Sequence, residues 1–75
     1  MEKQKELIFK SKESQMFSDM VEAMKSQLEA HIGKEVMFDD LGTDYVVFCD
    51  PESDIEYWFD LISGFDTWEL TIQNS

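Results

Sequence analysis

From Glu35 to Ser75 the chain has no lysine and no arginine. A stretch without basic side chains lacks the groups that hold phosphates, so direct nucleic-acid binding is not expected of it. A lone cysteine, Cys49, leaves no partner for a disulfide within the chain and excludes a cysteine zinc site. That economy fits a reducing compartment. The only histidine, His31, stands at the end of a helical pattern beside Gly33, where a cation complements the helix dipole. No apolar run approaches the roughly 18 residues of a membrane span. MEKQKELIFK also lacks the long apolar segment of a signal peptide. The expectation is a cytoplasmic protein with no membrane partner.

What is present is apolar enough to fold. The hydrophobic fraction is 43%, with 13% aromatic, which excludes a disordered acidic tail. The 75 residues suffice for one small domain spanning 1–75. A core of this size supplies only about 3–5 kcal/mol of net stability. Self-association or a bound partner would add to it. The net charge is −11, and its distribution matters more than its size. Residues 1–34 balance six lysines against six acids. Residues 35–75 carry eleven acids and no basic side chain, so they hold the whole net charge. Such segregation bears on partners.

Ser14–Ile32 has helical periodicity, with Met16, Phe17, Met20, Val21, Met24, Leu28 and Ile32 on one stripe. Ser11 or Ser14 is the expected cap at its start, and Gly33 the left-handed residue at its end. Residues 1–10 are a flexible segment or an extra element. LIF at 7–9 fits a helix extension, a short extra turn or an edge strand. After Lys34 the period becomes two. Glu35–Asp39, Asp44–Asp50, Ile55–Ile62 and Thr67–Gln73 are strand candidates separated by short turns. The expected fold class is α+β, one long N-terminal helix packed on a four-stranded antiparallel β-meander.

Alternation assigns the faces. Ile55, Tyr57, Phe59 and Leu61, with Trp68, Leu70 and Ile72, belong under the helix. Glu56, Trp58, Asp60 and Ile62, with Glu69 and Thr71, belong on the opposite face. Cys49 alternates with Tyr45 and Val47 and reads as a small core residue. The face away from the helix is therefore acidic, with a tryptophan set in it.

No catalytic constellation appears, because no nucleophile has a base and an orienting group beside it. The protein is not expected to be an enzyme or to hold a cofactor. Asp50, Glu52 and Asp54 alternate like calcium ligands, but the central glycine and terminal glutamate of a calcium loop are missing. No metal is expected. A solvated acidic face would explain solubility. Single-sign charge also weakens the fold through self-repulsion, a cost that a basic partner offsets on binding. Carboxylates on a rigid sheet then stand in for phosphates in a basic, nucleic-acid-binding groove. Asp39, Asp40, Asp44, Glu56, Asp60 and Glu69 are the expected phosphate surrogates, with Trp58 as anchor.

The stretches SDMVE at 18–22, GKEVMFDD at 33–40 and WELTIQNS at 68–75 resemble the first helix, first strand and closing strand of the phage uracil-DNA glycosylase inhibitor family. The resemblance runs from Ser18 to Ser75 through short motifs. It implies a helix-plus-antiparallel-sheet fold and an acidic DNA mimic that occupies a glycosylase's DNA groove, with an apolar pocket for a protruding side chain. By motif position, Asp40 matches the family's key strand glutamate, flanked by Asp39 and Leu41. The family has a second helix between its first two strands, where this chain has only Leu41, Gly42 and Thr43 between DD and DYVVF. That helix helps to build the pocket. The expected function is a phage- or mobile-element-encoded inhibitor of a host enzyme or defence protein. The alternative is an interaction module or homodimer that buries Trp58 between two sheets.

Overall fold

Apolar alternation after Lys34 produces four strands, and a fifth comes from the chain's other end. The computed structural model describes residues 7–11, 16–64 and 66–74. In order, these form β1 (Ile8–Lys10), α1 (Phe17–Ile32), β2 (Met37–Leu41), β3 (Tyr45–Cys49), β4 (Ile55–Ser63) and β5 (Thr67–Asn74). One antiparallel sheet has the order β1-β5-β4-β3-β2. The class is α+β as expected, but the sheet has five strands rather than four. Of the three readings open for LIF, the edge strand is the one realised. Phe9 lies opposite Trp68 and is fully buried, which is the reason the segment pairs with β5. Backbone bonds at both ends fix it: Leu70 N–H to the Leu7 carbonyl at 3.0 Å and Ser11 N–H to the Asp66 carbonyl at 2.8 Å.

The helix is shorter than its periodicity suggested. It begins at Phe17, and its N-cap position is Met16, with no side-chain cap. Ser11 does not cap it, and Ser14 lies outside the described residues. Its other end follows expectation. Gly33 is left-handed (φ 80°), and its N–H reaches the Glu29 carbonyl at 2.8 Å. Glu29 also accepts the Val36 N–H at 3.1 Å, which ties the last turn to the approach of β2. α1 lies in sequence between β1 and β2, which are at opposite sheet edges, and its first turns lie beside β2.

The packing of α1 on one sheet face sets the core. Met20, Met24 and Leu28 pack on Phe9, Val46, Phe48, Tyr57, Phe59, Trp68 and Leu70. Phe59 is central, edge-to-face with Phe9 at 6.4 Å and with Phe48 at 6.2 Å. Ile55, Leu61 and Ile72 border this cluster, so the face expected under the helix is the face found there. Cys49 departs from expectation. It is half-buried and lies opposite Glu56, on the sheet face away from α1. The alternation was correct; the face it belongs to is the other one, because Val46 and Phe48 take the core positions of β3.

Leu28→Ala should cost about 2–5 kcal/mol in urea unfolding, since the residue is fully buried among aromatics. Ile62→Ala, at a half-exposed site beside a bulge, should stay within roughly 0.5 kcal/mol of wild type.

Candidate functional site

Pairing register, more than sequence proximity, gathers the acidic residues. On the sheet face opposite α1, Asp60 of β4 has Glu69 of β5 on one side and Tyr45 of β3 on the other. The next row is Thr71, Trp58, Val47 and Asp40. The row beyond is Gln73, Glu56, Cys49 and Met37. Ile8 extends the first row past Glu69. So Asp40, Glu56, Trp58, Asp60 and Glu69, from three strands, share one open face.

Asp39 and Asp44 join this face less directly. The β2–β3 register shifts between Phe38 and Asp40, leaving Asp39 in a bulge. It is close enough to Cys49 for its charge to push the thiol pKa up, after burial and alongside Glu56 and Asp50. Asp44 lies in the β2–β3 turn, where its carbonyl accepts the Leu61 N–H at 3.0 Å. Burial, then the Asp44 charge, pushes the Asp60 carboxyl above its ordinary value. A carboxylate facing a second carboxylate across a strand pair, with a third at its end, is electrostatically uncomfortable.

Trp58 is held in place and does not stand free. Its indole N–H donates to Glu56 at 2.9 Å, and Tyr45 leans on its ring at 5.4 Å. Tyr45 in turn lies over Gly42, where an added Cβ would sit 2.3 Å from the tyrosine ring. Together these rings form a fixed aromatic platform inside the acidic face. Val47, almost fully buried between Trp58 and Asp40, completes it.

Asp50 has a different role from its acidic neighbours. It is only 4% exposed and forms an ion pair with Lys34. Its carboxylate also takes the Glu52 N–H at 2.9 Å and the Ser53 hydroxyl at 3.0 Å. Lys34 and these donors hold its pKa below the usual carboxylate range. It therefore locks the β3–β4 turn to the end of the helix. Among the described residues, no group of three or more His, Cys, Asp or Glu is placed to hold a metal ion. No helix among them is long and apolar enough to cross a membrane.

The sequence reading missed a second feature. Phe17, Val21, Phe38 and Leu41, rimmed by Ser18, Glu22 and Lys25, line an open cleft of about 440 Å³ between α1 and β2. Phe17, Phe38 and Leu41 remain 44%, 47% and 42% exposed. Each looks like a core residue in the sequence. The signal was that the helical stripe begins at Met16, four positions before Met20, the first buried residue of α1, so its N-terminal end overhangs the outermost strand. In comparisons with known families, with curated proteins and with solved structures, nothing matches this chain.

Opposed proton linkages give a distinctive pH profile. Asp60 binds its proton at higher pH when folded, so its unfavourable effect at neutral pH is relieved as pH falls through that raised value. Asp50 and Glu29 are lowered, so their stabilisation is present above the ordinary carboxylate range and lost as pH falls through the lowered values. The melting temperature should rise on mild acidification and collapse below about pH 4. Asp60→Asn should stabilise the fold at pH 7 by roughly 0.2–1 kcal/mol, and by less at pH 5. Gly42→Ala should displace Tyr45 and change the tryptophan near-ultraviolet circular dichroism while leaving the far-ultraviolet spectrum unchanged.

Proposed function

We propose that the open face is a DNA-mimicking surface that binds the nucleic-acid-binding groove of a basic protein and so inhibits it. One observation carries the reading: Asp60 and Glu69 face each other across β4 and β5, within a surface whose four long strands contain no basic residue. Ordinary sheets place opposite charges or neutral pairs there. Of the described lysines, Lys25 is engaged with Glu29 and Lys34 with Asp50, both away from this row, while Lys10 lies on this face only at the outer β1 edge, opposite Thr67. The missing counter-charges belong to the partner. Asp39, Asp40, Asp44, Glu56, Asp60 and Glu69 act as phosphate surrogates, and the Trp58–Tyr45 platform fills the desolvated centre of the contact. The chain is the inhibitor of a host enzyme or defence protein, encoded by a phage or mobile element.

A uracil-DNA glycosylase is one candidate target, on the resemblance of the helix, first long strand and closing strand. The family's second helix has no counterpart here, since Gly42–Asp44 alone connects β2 to β3. The apolar cleft in this chain is instead lined by α1 and β2. The acidic face also disfavours the rival arrangement, a homodimer that buries Trp58 between two sheets, because two copies would oppose like charges at every row.

Tagged protein incubated with bacterial lysate and eluted by a salt gradient should release a DNA- or RNA-binding protein at high ionic strength. That protein should be displaced by duplex DNA. Asp60→Asn/Glu69→Gln and, separately, Asp39→Asn/Asp40→Asn should each weaken capture about tenfold without lowering the melting temperature. Recovery of the bait alone, or undiminished capture by both variants, would leave the acidic face without this role.

A further inference from the structure

We infer that the outer edge of β2 and the cleft beside it form a second docking site, which takes a short extended segment of alternating apolar and basic residues. Among the described residues β2 is the outermost strand and pairs only with β3, so its outer edge carries backbone groups with no described strand beyond them. All five of its residues are exposed. Phe38 and Leu41 lie opposite the core-facing Phe48 and Val46, and therefore on the helix side, where they floor the cleft with Phe17 and Val21 above. Met37 and Asp40 lie opposite Cys49 and Val47, on the open face.

A strand added to this edge would alternate between those two environments. Its residues at i and i+2 would enter an apolar cleft whose volume is within the range of ligand pockets. Its residues between them would lie beside Asp40, with Asp39 exposed in the adjacent bulge. The charge complement is therefore Lys or Arg at alternate positions. A second copy of this chain is the wrong occupant. It would bring its own Asp39 and Asp40 to the same edge, and the bulge and paired acids are the devices by which edges resist self-pairing. The opposite sheet edge is less suitable, since β1 spans three residues and ends in Lys10. The site is separate from the Asp60–Glu69 row and does not depend on whether that row meets a nucleic-acid groove.

The test is nitrogen-15 heteronuclear NMR titration of the full chain with the acetylated, amidated peptide Lys-Leu-Lys-Leu-Lys. Two controls have the same composition: the block isomer Leu-Leu-Lys-Lys-Lys, and the alternating peptide N-methylated at both leucines. Saturable shifts confined to 17–25 and 37–41 are expected for the alternating peptide, with at least about tenfold weaker binding of either control. Leu41→Glu should weaken it similarly. Phe38→Ala, at a half-exposed position, keeps the test informative if Leu41→Glu is poorly folded. Asp60→Asn/Glu69→Gln should bind the peptide as wild type does, which separates this site from the open face. Three outcomes would each overturn the proposal: no saturable shift at millimolar peptide, shifts centred on Tyr45 and Trp58, or equal binding of the block isomer.

Discussion

Among the described residues a single helix covers a five-stranded sheet, and most other features follow from that shortage of cover. At 16 residues, α1 is about 24 Å long, against roughly 19 Å between the two edge strands at 4.8 Å spacing. One helix of this length buries one face, with its first turns lying beside β2 at the cleft. Phe59 at the centre of that face meets aromatic neighbours from β1 and β3, and Met20, Met24 and Leu28 close over it. Among the described residues, no element covers the opposite face. That face must be stable against water by itself, and it carries acids, a platform of two aromatic rings and the buried Val47.

The acidic run DPESDIEYWFD shows how differently neighbouring carboxylates are used. Asp50 is a turn lock, with its charge matched by Lys34 and its oxygens filled by local donors. Glu56 accepts the indole N–H and orients Trp58. Asp60 has Glu69 opposite, and burial, then the Asp44 charge, favours its protonated form. The first two arrangements lower the energy of the isolated fold. The third raises it. Only the third calls for a counter-charge from outside the chain, which is the reason the proposed interface is centred on Asp60 and Glu69 and leaves out the more numerous acids of the turn.

The face assignment was legible in the sequence because period-two alternation is a local property. Tyr57, Phe59, Trp68 and Leu70 were readable as core, and Glu56, Trp58, Asp60 and Glu69 as the other side, before any partner strand was known. Features that depend on long-range pairing were not legible. LIF at 7–9 carries too few residues to declare a strand, and only its pairing with β5 some sixty residues later defines it. Cys49 and Val47 looked like core because apolar residues at alternate positions usually are, yet β3 is apolar on both faces. Asp50 belonged to a plausible ligand triplet until Lys34, sixteen positions earlier, came beside it. The exposed ends of the helical stripe at Phe17 and of β2 at Leu41 were unreadable for the same reason. Whether an apolar residue is covered depends on where its element ends relative to its neighbour.

Stability and accessibility pull in opposite directions at the β2 edge. Packing one more apolar residue from the chain against Phe17, Phe38 and Leu41 would strengthen a small core. Instead the link after α1 turns away through Gly33 and is held by Glu29 and Val36, while Lys34 is committed to Asp50. Those contacts fix the path from helix to β2 so that the helix's first turns and the edge strand diverge over bare apolar side chains. The same contacts stabilise the C-terminal end of α1, while Phe17 at its N-terminal end stays exposed. An apolar cleft beside an acidic edge strand is a poor arrangement for an isolated domain and a good one for a domain completed by a basic partner.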